Sequence, residues 1–110
     1  MDYMEELRKF AKASDAGDYE AACKALEDIP ASVLNERDDD DCDWLMASVQ
    51  NGSVTAVRAL LASGKCDLSN RENLCGMTAR EFAQDYPVGS PMRRAFEEVP
   101  EVPTGKGGER

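Results

Sequence analysis

The sequence contains no histidine, and that one absence removes Ser-His-Asp and Cys-His nucleophile pairs, His-ligated metal centres and imidazole general bases. Nothing then titrates near neutrality except a perturbed thiol or the amino terminus. Aromatic residues are only 6% of the 110 positions and apolar residues 42%, which allows the core of one domain and not two. Basic residues are also scarce: 13 Lys and Arg stand against 22 Asp and Glu, for a formal net charge of −9. Phosphate backbones are bound by clustered Lys and Arg that displace counterions, and no such cluster is present, so nucleic acid is not expected as a ligand. No apolar run approaches the roughly 20 residues needed to span a bilayer, so no membrane contact is expected. The first residues, Met1-Asp2-Tyr3-Met4-Glu5-Glu6, lack the basic and apolar regions of a secretory signal. A cytosolic or nuclear location is the expectation.

Cys23, Cys42, Cys66 and Cys75 contain no CxxC pair, and no His exists to complete a zinc set. Free thiols follow, with no cofactor and no metal. Cys23 reads as a buried structural thiol. Cys66 and Cys75 leave one alternative open, a thiol-based redox or metal role, if a loop brings them together.

What the chain has in excess is negative charge, and it is concentrated. Met1 to Asp43 holds 14 acids against 5 bases, whereas Trp44 to Arg110 is balanced at 8 and 8. The densest piece, Asp38 to Asp41 followed by Asp43, places like charges side by side and reads as an exposed loop. It is no calcium loop, because the sixth and twelfth slots counted from Asp39 hold Trp44 and Gln50 instead of Gly and Glu. Either it is a solvated turn or it steers a basic partner.

A repeat runs along the chain. Arg8 to Gly17 and Asp43 to Gly52 share a layout of small and apolar residues at a spacing of roughly 35, and both end in glycine. Each is followed by an apolar helical stripe: Tyr19, Ala22, Ala25, Leu26 and Ile29 after the first, Val54, Val57, Leu60 and Leu61 after the second. Gly17 and Gly52 suit a left-handed position closing the first helix, and Asp18 and Ser53 can cap the second. A third block opens at Gly76-Met77-Thr78-Ala79, and Ser90-Pro91 predicts a cap and first turn ahead of Met92, Ala95, Phe96 and Val99. Short helix pairs cannot bury a face alone, so stacking them into an all-α solenoid of helix-turn-helix repeats is the expected fold. The connections Asp28 to Cys42 and Gly64 to Cys75 are expected to project as extended, hairpin-like loops.

These residues resemble the ankyrin repeat family. In the second repeat Leu45 takes the leucine slot of T-P-L-H, Ser48 and Val49 the small-residue slots, and Asn51-Gly52 the N-G turn. Val54, Val57, Leu60, Leu61 and Gly64 follow L-x-x-V-x-x-L-L-x-x-G, and Cys66-Asp67-Leu68 is similar to A-D-V. The resemblance covers about Leu7 to Val99 and is strongest in the centre. Asp43 and Trp44 replace the T-P pair, so the bracing hydrogen bonds of that turn fall to the Asp43 carboxylate. Arg80 stands in a leucine slot, where it must snorkel or belong to a cap. Ile29-Pro30 replaces the glycine that ends the first repeat. The expected organisation is one domain over 1–99, with repeats of roughly 4–37, 38–73 and 74–99, and a flexible tail over 100–110.

The resemblance implies a non-catalytic module, an adaptor, scaffold or inhibitor, monomeric when unbound. It would grip another protein through loop tips and the concave helix face. At the first tip those positions are Glu36, Arg37, Asp38, Asp39, Asp40 and Trp44. Along the helix they are Ala47, Gln50 and Asn51, and at the second tip Arg71, Glu72, Asn73 and Leu74. Trp44 is either an interface anchor beside an acidic finger or a ring packed over the neighbouring repeat. The third alternative is an acidic, chaperone-like binder of basic proteins.

Overall fold

The computed structural model describes residues 3–37, 42–70 and 76–97. Among them are seven helices and no strand: α1 Met4–Asp15, α2 Tyr19–Glu27, α3 Ala31–Leu34, α4 Trp44–Gln50, α5 Val54–Ser63, α6 Ala79–Ala83 and α7 Pro91–Glu97. The chain is therefore all-α, as its periodicity predicts. None of these helices is long and apolar enough to cross a membrane.

The first two tight turns are built alike, bond for bond. Gly17 and Gly52 have φ of 74° and 76°, a conformation in which a Cβ is strained. Asp18 N donates to Ala13 O at 2.9 Å and Ser53 N to Ser48 O at 3.0 Å. The Asp18 carboxylate then accepts from Ala21 N at 3.1 Å and the Ser53 hydroxyl from Ala56 N at 3.4 Å, so each cap satisfies one orphan donor of the next helix. Every one of these pairs is 35 residues apart. The same interval links Asp43 to Thr78. Both cap a first helix, through Met46 N at 2.9 Å and Glu81 N at 3.2 Å, and Glu81 returns a bond to Thr78 N to complete a capping box. The pattern loosens at both ends: α1 starts a turn early without a side-chain cap, and α6 has only five residues.

Packing follows from these short lengths. α1 lies on α2, α4 on α5 and α6 on α7, while α5 also touches both α2 and α7, and α4 touches α6. A single buried stripe is the expectation for α5. In the structure Ala56 and Ala59 are buried along with Val57 and Leu60. At 3.6 residues per turn that arc is about 160° wide, against about 100° for a helix with one covered face. The reason is that α5 has a second helix on each side. Phe10, Leu26, Ile29, Leu45, Met46, Val49, Met92 and Phe96 complete the core around it.

The connection from Asp28 to Cys42 departs from an exposed finger over the part described. Pro30 enters in extended conformation and starts α3, and Ile29 and Leu34 are fully buried, because two large aliphatic side chains in a polar segment gain more by joining the core than by facing water. Asn35 then ties this turn to the next connection: its Nδ2 donates to Ala31 O and Lys65 O at 3.0 and 2.9 Å, and its Oδ1 accepts from Asp67 N at 2.8 Å. The missing glycine after α2 is compensated by Lys65, whose Nζ donates to the carbonyls of Leu26, Glu27 and Ile29 at 2.7, 3.2 and 2.8 Å. A cation there complements the negative end of α2 and gives the Glu27 and Ile29 carbonyls a donor, while Leu26 O also accepts from Ile29 N at 3.1 Å. Arg80, where a buried leucine is expected, is half-buried with its guanidinium 5.6 Å from the Phe96 ring centre and Nη1 bonded to Phe96 O at 3.1 Å, while its buried Nη2 has no hydrogen-bond partner among the described residues. It leans on α7 instead of filling the core. Val99 lies outside the described residues.

Two substitutions test this packing in urea unfolding. Leu60→Ala is expected to cost about 2–5 kcal/mol, the range for truncating a buried aliphatic side chain. Lys65→Met keeps the stem and removes the ammonium from the carbonyls of Leu26, Glu27 and Ile29, with an expected cost of about 1–3 kcal/mol. An unchanged midpoint in either variant would contradict the role assigned to that side chain.

Candidate functional site

Asp43 organises the beginning of α4. It is 2% exposed, its Oδ1 accepts from Met46 N at 2.9 Å, and its Oδ2 accepts from Asn70 Nδ2 at 2.9 Å. The carboxylate thus braces the turn at the start of α4, and its second oxygen holds the following connection. With Asp43 fixed, the next residue, Trp44, is aimed across the helix pair. Its ring meets Phe10 of α1 edge to face, with centres 6.0 Å apart and planes at 73°, an arrangement favoured by the ring quadrupoles. Ser48 Oγ bonds back to Trp44 O at 2.8 Å.

Trp44 remains half-buried, and its outer side borders an open hollow of about 150 Å³ lined by Glu36, Cys42, Asp43, Trp44 and Ala47. The lining is largely apolar, and Glu36 is its exposed charged group. Asp43 is buried, and each of its oxygens already accepts a hydrogen bond within the chain. The Glu36 side chain makes no hydrogen bond or ion pair to another described residue; only its backbone N–H is engaged, with Val33 O at 3.3 Å. Cys42 Sγ points to Gln50 Oε1 at 3.9 Å.

Of the interaction residues expected from the sequence, the structure brings Glu36, Trp44 and Ala47 together in this hollow. Gln50 and Asn51 are exposed at the end of α4 and do not line it, and Arg37 is half-buried. Asp38, Asp39 and Asp40, and Arg71, Glu72, Asn73 and Leu74, lie outside the described residues. Asn70, Asn35 and Lys65, which position the walls, carry no signal in the linear pattern because their partners are 27 to 39 residues away.

The thiols are placed differently from the expectation. Among the described thiols Cys42 is fully buried, whereas Cys23 and Cys66 are partly covered: Cys42 leads into α4 on its core side, and Cys23 sits at the margin of the α2 stripe. Burial, reinforced by the Asp43 carboxylate, pushes the Cys66 thiol up to about 12. That keeps it protonated and runs against the reactive thiol which a redox role needs. Its supposed partner Cys75 lies outside the described residues, among which no three His, Cys, Asp or Glu residues cluster as a metal set. Asp67 is held below the ordinary carboxylate range by the Ser69 hydroxyl and backbone N–H.

A thiol raised to about 12 is about 1,000-fold less ionised at pH 8 and below than one at the ordinary 9.0. Cys66 is therefore expected to alkylate with iodoacetamide at pH 8 far more slowly in the folded chain than in urea, read by peptide mass spectrometry. Equal rates would contradict its burial. Set beside known proteins, the chain matches no family model, no curated protein and no solved structure.

Proposed function

We propose that the chain is an ankyrin-type repeat solenoid that acts as a non-catalytic binding module for another protein. The repeat reading is supported by the turn and cap bonds that recur at an interval of 35, and by the second helices α2, α5 and α7, which lie in sequence against one another. Such stacks offer an open flank instead of a secluded pocket.

One observation carries the functional reading: Trp44, held at its root by the Asp43 cap and on one side by Phe10, keeps its other side open on a hollow with Ala47 and Glu36. A rigid, half-exposed aromatic ring backed by the core loses little entropy when a partner covers it, which is why such rings anchor interfaces. The two alternatives for Trp44 thus merge. It packs on its neighbour and is presented by that packing.

Affinity enrichment from a homologous extract, with Ala47→Gln as the comparison, tests this reading. Glutamine suits the helix and fills the hollow without changing charge. The native chain is expected to retain a partner that Ala47→Gln loses, with both melting alike by circular dichroism. Trp44→Ala should weaken the same binding more than it weakens the fold. Identical retention by all three would overturn the assignment of this surface.

A further inference from the structure

Resting on that reading, we propose that the hollow takes the side chain of an arginine on a basic segment of the partner protein. The walls divide into two parts that match the two parts of an arginine. Trp44, Ala47 and Cys42 supply an apolar, partly aromatic part of the lining, suited to the alkyl stem and to the flat face of a guanidinium, which stacks on indole. Glu36 stands at the rim with a carboxylate that has no partner among the described residues, and a guanidinium can engage both its oxygens at once.

Asp43 does not compete for that role, because both its oxygens are bonded inside the protein. Among the described residues, no basic side chain lines the hollow to neutralise Glu36 or repel an incoming cation. The long-range field has the same sign as the local carboxylate: the net charge is −9, and the portion up to Asp43 carries 14 acids against 5 bases. Diffuse charge alone would attract any cation to any face. The combination of indole and free carboxylate selects one kind of side chain at one place. An aliphatic anchor would leave Glu36 partly desolvated without a counter-charge, and an acidic one would be repelled.

The test is a selection of displayed random dodecapeptides on the native chain, with binders kept only if Ala47→Gln abolishes capture. Affinities are then read by emission of Trp44, the single tryptophan of the sequence. The expected result is enrichment of arginine in the selected peptides. Replacing that arginine with citrulline, or Glu36→Gln in the protein, should each weaken binding by about tenfold, the scale of a charge-assisted pair beside an aromatic ring. Glu20→Gln, which removes the same charge from an exposed site on α2, should change it less than twofold.

Peptides that depend on the hollow but carry no arginine would overturn this inference and leave the docking surface standing. Equal weakening by Glu36→Gln and Glu20→Gln would also overturn it, since attraction would then be diffuse. Absence of any peptide blocked by Ala47→Gln would remove both the inference and the surface on which it rests.

Discussion

The structure depends on α5 being covered from two sides. A ten-residue helix has little stability of its own in water, and its neighbours are shorter or scarcely longer, so each gains its stability from contact with the next pair. Val57, Ala59 and Leu60 have no measurable exposure, and the helix that carries them packs against both α2 and α7. Small residues on the widened arc are part of the arrangement: alanine lets a second helix approach where a larger side chain would hold it off.

Around that central helix, polar side chains fix what apolar burial leaves free. Hydrophobic contact is non-directional, but a hydrogen bond to a named carbonyl sets register. Lys65 reaches three carbonyls at the end of α2, Asn35 binds the backbone on both sides of Cys66, and Asn70 holds the cap of α4. Tyr86 adds another tie, its hydroxyl donating to Val49 O at 2.5 Å beside Gly52. These bonds join consecutive helix pairs through their connections, so the loops act as mortar between the pairs. The Trp44 hollow is a by-product of the same construction: the cap that starts α4 also determines where the indole goes.

The chain was legible wherever the physics is local. Glycines with positive φ at Gly17 and Gly52, the caps Asp18 and Ser53, and the apolar stripes of α2 and α5 are all read from neighbours three or four residues apart. The segment Asp28 to Cys42 was misread over its described part because a stretch rich in charge looks like loop, and nothing nearby shows that Ile29 and Leu34 find the core. Glu36, Trp44 and Ala47 were recognisable as surface candidates. Their meeting in one hollow was not.

By itself the sequence determined the helical class, the interval of the turns, the strong negative charge and the absence of imidazole chemistry, since each is set by composition or by contacts within a turn. Only the tertiary structure decided that Cys42 and not Cys23 is buried, that Lys65 caps a helix some 38 residues behind it, and that Trp44 is gripped on one side and open on the other. Those outcomes depend on which helix lies across from which, and burial is a property of that neighbourhood and not of the residue.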